Sequence, residues 1–297
     1  MIRALLIGLL LCAPLAAAYE SNFGRVTLAN CDLIVQGVAS ARRTRVAASF
    51  RVEVTVQQVL YGETEQREVS LYYTDNKMLK ENESVRALFA LKSMATGGFS
   101  IVGKPISAPE SEPESATKQS VCEAFVALER EAEGEERTSN FWALLVRHVR
   151  QGGFAAQNAA VELMFVAQHR GGIVTEERFT QVQDARGFGE KALTTQTKGD
   201  LKLAFQGLIE AGVKTLKFRR IRRADTKEER RNAATELLAL VEEYPRAFTE
   251  ADAKLTKAIA DESQDAVLNE TLTELEKAII LEVRVREGAE KAPKPQD

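Results

Sequence analysis

NAAVELMFVAQHRGGIVTEERFTQV (158–182) and NAATELLALVEEYPRAFTEADAKLT (232–256) decide how this chain is read. The two stretches lie 74 residues apart. Asn158/Asn232, Ala159/Ala233, Ala160/Ala234, Glu162/Glu236, Leu163/Leu237, Thr175/Thr249 and Glu176/Glu250 coincide without a gap. Each copy predicts a long helix with alanines on its packing face. A breaker follows, Gly171-Gly172 in one copy and Pro245 in the other. Thr175 or Thr249 then caps a second helix, with glutamate in the first turn where negative charge suits the helix dipole. A repeat of this kind predicts helix pairs that bury their apolar faces on their neighbours.

Working outward, the helical period holds from Ser120 to Arg286. Ser120 with Glu123 forms a capping-box pattern ahead of Val121, Phe125 and Leu128. Phe141, Leu144, Leu145 and Val149 mark the next helix. Between the copies, Leu201, Ala204, Phe205 and Leu208 form a stripe, and Thr226 with Glu229 caps the helix after it. Leu268, Leu272, Leu275 and Ile279 line a last long helix. Residues 120–286 resemble HEAT or armadillo-like α-solenoids, which implies a surface that binds other proteins. The closing stretch, 287–297, is expected to be disordered.

Upstream the period is two. In FRVEVTVQQV, Phe50, Val52, Val54 and Val56 face one way, and Arg51, Glu53, Thr55 and Gln57 face the other. The alternation slips at Gln57-Gln58, which predicts a bulge, and Gly62 marks a turn. CDLIVQGVAS, REVSLYY, SVRALFALK and GGFSIVGK are further strands. Five short strands with one apolar face predict a closed antiparallel barrel. The fold class is therefore α+β in separate domains: a small OB-like β-barrel over 19–106, then an all-α solenoid of helix pairs. SAPESEPESATKQ (107–119), rich in Pro, Ser and Glu, reads as the acidic linker between them.

The order of these strands, with the V-L-x-G turn at Val59, Leu60 and Gly62, resembles the netrin-like or tissue-inhibitor-of-metalloproteinases-like OB-fold. That resemblance implies a binding barrel and, as an alternative function, regulation or inhibition of an extracellular protease through the barrel loops. In the family an amino-terminal cysteine chelates the protease zinc. Here the expected mature terminus is Tyr19, the next cysteine is Cys31, and the family's dense disulfide pattern is missing.

MIRALLIGLLLCAPLAAA (1–18) has a basic start at Arg3, an apolar run broken by Pro14, and small residues Ala16–Ala18. It reads as a secretory signal cleaved after Ala18, so the product is expected to be periplasmic or extracellular. No later apolar run is long enough to span a bilayer. The charge is nearly balanced, with 40 Lys+Arg against 43 Asp+Glu, and names no partner by itself. Two cysteines remain after the signal, Cys31 and Cys122. In an exported protein they could form one disulfide closing a loop of about 90 residues, worth about 4–5 kcal/mol. Two buried thiols are the other reading.

No catalytic, metal or cofactor constellation stands out. GLIEAGVKTLKFRRIRR (207–223) comes nearest, since Gly207, Gly212, Lys214 and Thr215 are one residue out of step with a phosphate-binding loop. The stretch follows an amphipathic helix and no strand. Gly212 is therefore read as a helix stop, and Gly207 as a point where a neighbouring helix approaches. Lys214, Lys217, Arg219, Arg220, Arg222 and Arg223 then put six cations in ten residues with no acid. They read either as a site for an acidic protein surface, an anionic lipid or a glycan, or as a solvated face neutralised by Glu228, Glu229, Glu110, Glu112 or Glu114. Nucleic acid is not expected as a partner of an exported chain. The run EREAEGEER (129–137) reads as a solvated helix end, His169 as a helix-terminal cation, and His148 as a helix-edge residue. Asn82 and Asn269 open glycosylation sequons that matter only in a eukaryotic secretory host. The reading is a non-enzymatic binding or scaffold protein that holds another protein on its helical surface.

Overall fold

A computed structural model describes residues 24–46, 49–74, 83–108, 114–169 and 171–291. The expected signal and its cleavage site, Asn82, Glu110 and Glu112, and residues 292–297 lie outside the described residues. The chain divides into two compact units. The first runs to Glu162 and includes Gly189–Thr194; the second comprises Leu163–Phe188 and residues from Thr195 onward.

The first unit is built on seven strands: β1 (Leu33–Ala39), β2 (Thr44–Val46), β3 (Ser49–Tyr61), β4 (Glu68–Tyr73), β5 (Val85–Ser93), β6 (Phe99–Ile101) and β7 (Ile106–Ser107). Five of them close on themselves in the order β1-β3-β4-β6-β5, with β5 paired back to β1. All of these pairings are antiparallel except β4–β6, so the expected wholly antiparallel barrel is corrected at one seam. The register between β1 and β3 slips between Gln36 and Gly37, where Gln57 of β3 goes unpaired at the anticipated bulge. Val52, Val54, Leu71, Phe89 and Leu91 fill the interior. Gly62 has φ +74°, and a Cβ there would lie 2.2 Å from the Asp32 carbonyl oxygen, so only glycine fits this turn.

β5 is buried on both faces over Ala87–Leu91, because its outer side is covered as well. Helix α1 (Arg25–Asn30) packs against β5 and against α2 (Glu114–Glu129), and α2 packs on β3. Gln119 bonds Gln58, and Lys118 Nζ bonds the Ser107 carbonyl at 2.8 Å. Helix α2 begins at Glu114, inside the stretch read as linker, so Ser120 is an interior helical residue and not a cap. The unit boundary accordingly does not fall at 107–119. Helices α2, α3 (Glu135–Gln151) and the first part of α4 (Gly153–His169) belong with the barrel.

The second unit continues with α5 (Glu176–Gly189), α6 (Thr195–Leu208), α7 (Lys214–Arg223), α8 (Lys227–Glu243), α9 (Glu250–Glu262) and α10 (Ala266–Lys291). The two repeat copies adopt the same local geometry at the same offset. Single 3-10 turns occupy Gly171–Ile173 and Pro245–Ala247, and the following helices start at Glu176 and Glu250. Val174 N donates to the Gly171 carbonyl, and Phe248 N donates to that of Pro245. Phe179, Phe205 and Tyr244 stack edge to face in the core of this unit. Helix α10 continues through Lys291, five residues into the stretch expected to be disordered. Glu287, Ala289, Glu290 and Lys291 favour helix, and no proline intervenes before Pro293. Among the described residues, no helix is long and apolar enough to cross a membrane.

Candidate partner-binding surface of the helical unit

Gly212 does not stop a helix. Residues Ile209–Val213 form a single π turn that joins α6 to α7, and Leu208, Val213 and Lys214 all keep right-handed helical angles. One extra residue is thus accommodated without a break, as π turns do within longer helices. Glycine serves close packing at Gly207, where a Cβ would sit 2.9 Å from that of Ala167, whereas a Cβ on Gly212 would meet the Gly171 carbonyl oxygen at 3.6 Å, an ordinary contact. The continuous helix leaves no ring of free N–H groups, so the stretch cannot cradle a phosphate as a strand–loop–helix does.

The π turn sets the phase of the six cations, and the structure separates them. Lys214 Nζ bonds Asp252 Oδ2 and the Ala247 carbonyl, both at 2.8 Å, and lies over the Phe248 ring. Lys217, buried, reaches Glu236 at 2.5 Å and Glu176 at 3.3 Å. Arg220 shares Glu176, and Arg222 stands 4.0 Å from Glu262. Arg219 and Arg223 are exposed, with no ion pair among the described residues. The neutralising acids come from α5, α8 and α9, and Glu228 and Glu229 do not supply them. Glu229 instead closes the predicted cap, where its N–H donates to Thr226 Oγ1. The run is thus part framework and part surface: Lys214 and Lys217 hold helices together, and Arg219 and Arg223 face outward.

A second surface, an apolar cleft, lies elsewhere. The cleft, of about 770 Å³, opens between α6, from Thr195 to Gln206, and the 3-10 turn at Pro245. Leu203, Tyr244 and Pro245 supply apolar wall, Gly199 leaves its side open, and Asp200, Lys202 and Arg246 stand at the edge. Leu203 is 50% exposed although it belongs to a packed helix. Partial burial of Asp200 raises its carboxyl above the ordinary aspartate value. Burial likewise raises the Tyr244 phenol, whose hydroxyl accepts from Arg186 Nη1 at 2.9 Å. Sequence reading missed this cleft. Its one signal was Leu203, an apolar residue out of phase with the stripe of Leu201, Ala204, Phe205 and Leu208.

Cys31 and Cys122 are both buried free thiols. Burial pushes them to about 11 and about 12, well above the reactive range. His148 is not at a helix edge but buried beside Phe125, and burial lowers it to about 4, so it is neutral at ordinary pH. Arg137, expected in a solvated helix end, is buried and paired with Glu129. His169 is exposed at the end of α4, its ring 4.7 Å from that of Phe165. No group of three or more His, Cys, Asp or Glu among the described residues could hold a metal ion. No protein-family model matches the chain, and no curated protein or solved structure matches it.

Proposed function

We propose that this is an exported, non-enzymatic binding protein whose helical unit holds a segment of another protein. The apolar cleft beside Leu203 carries this reading. Pockets that take ligands are concave and mostly apolar, with a few polar groups that fix orientation. An apolar side chain of the partner would lie against Leu203, Tyr244 and Pro245, and a donor or cation beside it would meet Asp200. A photo-crosslinking residue at position 203 should capture one dominant protein from an envelope fraction, and Leu203→Arg should abolish recovery of that protein by the intact chain. Unchanged recovery with Leu203→Arg would sink the proposal.

A second reading, binding of an anionic lipid or glycan, is favoured by Arg219 and Arg223, which project from α7 without ion pairs among the described residues. Under that reading Arg219→Glu with Arg223→Glu removes binding and Leu203→Arg leaves it intact.

A further inference from the structure

Helix α10 carries an outer stripe that its own unit does not cover. At 3.6 residues per turn, positions 267, 270, 274, 277, 281, 284 and 285 fall within about 120° of one another. All seven residues are exposed, while the opposite face, with Leu268, Leu272, Leu275 and Ile279, is buried. The stripe is not the polar outer face that closes a helical stack. Val267 is 51% exposed, Leu281 61% and Val285 58%. Its charges are also sorted. Glu270 and Glu274 lie in the amino-terminal half, Lys277 and Arg284 in the carboxy-terminal half, and none has an ion pair among the described residues.

From this we infer that α10 is a homodimerisation face, and that its occupant is a second copy of the chain paired antiparallel about a two-fold axis at position 276, midway between Val267 and Val285. An isologous interface must be complementary to itself. A helix acidic in one half and basic in the other meets that condition only when antiparallel, because each acidic half then lies over the basic half of the second copy. A parallel arrangement would set like charges together. The same pairing carries Leu281 and Val285 of each copy onto the Val267 end of the other, so the exposed apolar residues cover one another. Charge complementarity sets the register, and apolar burial supplies most of the affinity.

Sedimentation of the full chain at micromolar concentration tests this. The wild type should run at twice the chain mass. Leu281→Glu with Val285→Glu should be monomeric, with a dissociation constant raised at least about thirtyfold. Lys277→Glu with Arg284→Glu should also dissociate, and adding Glu270→Lys with Glu274→Lys in the same chain should restore the dimer. These positions are exposed, so circular dichroism should be unchanged throughout. The four-residue charge swap decides the matter if either double variant loses helicity. A monomeric wild type, a dimer that survives Leu281→Glu with Val285→Glu, or a charge swap that fails to restore pairing overturns the inference.

Discussion

The two repeat copies share their sequence pattern and their turn but not their surroundings. In the first copy every residue from Asn158 to Met164 is buried, so that stretch of α4 has no solvent face. In the second copy only Ala233, Ala234 and Leu237 of the equivalent stretch of α8 are buried, and Asn232, Thr235 and Glu236 are exposed. The same asparagine and glutamate thus sit inside one helix and outside the other. The repeat encodes a local helix–turn–helix and one apolar face. What covers the remaining faces is decided by elements distant in sequence, as the difference between an all-round buried helix and an amphipathic one requires.

The largest effect should come from the position where the copies agree. Leu163 and Leu237 are both fully buried. Leu163→Ala and Leu237→Ala should each cost about 2–5 kcal/mol in urea unfolding, through lost transfer energy and a residual cavity. The leucine is the shared core of the motif if the two costs agree. A gap of more than about 2 kcal/mol would break the equivalence.

The glutamate one residue earlier should separate the copies. Glu162 has no exposed surface, and its Oε1 lies so close to Gly24 that a Cβ there would be 1.6 Å away. Glu236 is half exposed and shares Lys217 with Glu176. Glu162→Ala removes a buried polar group from a filled site and should cost about 3 kcal/mol. Glu236→Ala leaves Lys217 its second carboxylate and should cost about 1 kcal/mol or less. Equal costs would mean that burial does not distinguish the copies energetically.

The sequence made some of these differences legible and hid others for a physical reason. Local periodicity located all five barrel strands and the bulge at Gln57, because each is written in residues a few positions apart, and the repeat showed as identities at a fixed offset of 74 residues. The parallel β4–β6 seam was not readable, since it pairs Leu71 with Phe99 across an intervening strand. Nor were the partners of the basic run. Asp252 lies 38 residues from Lys214, and Glu236 lies 19 from Lys217, whereas the acids adjacent in sequence, Glu228 and Glu229, form no ion pair with the run among the described residues. Gly212 was misread because glycine commonly follows a helix end but is also tolerated inside a helix. Only the backbone angles tell these apart, and they are helical. The apolar cleft left a single out-of-phase leucine as its trace.

The smallest contrast concerns one carbonyl. The third residue of each 3-10 turn, Ile173 or Ala247, ends with an oxygen that no helix bond satisfies, and each copy finds a cation for it. In the first copy Arg178, three residues past the Thr175 cap, turns back and donates to the Ile173 carbonyl at 2.9 Å. In the second copy the equivalent residue is Asp252. It accepts from Thr249 N at 2.8 Å in a capping box and also holds Lys214, which donates to the Ala247 carbonyl. A local arginine is thus replaced by a lysine borrowed from α7. Lys214→Met should cost about 2 kcal/mol, since it strips one bond from the carbonyl and leaves Asp252 without its ion pair. Arg178→Met loses the charge-assisted bond to the Ile173 carbonyl and should cost about 1 kcal/mol. If Lys214→Met is silent while recovery of a partner falls, Lys214 belongs to the binding surface. If stability falls and recovery is unchanged, this cation of the basic run is framework, and any functional charge narrows to Arg219 and Arg223.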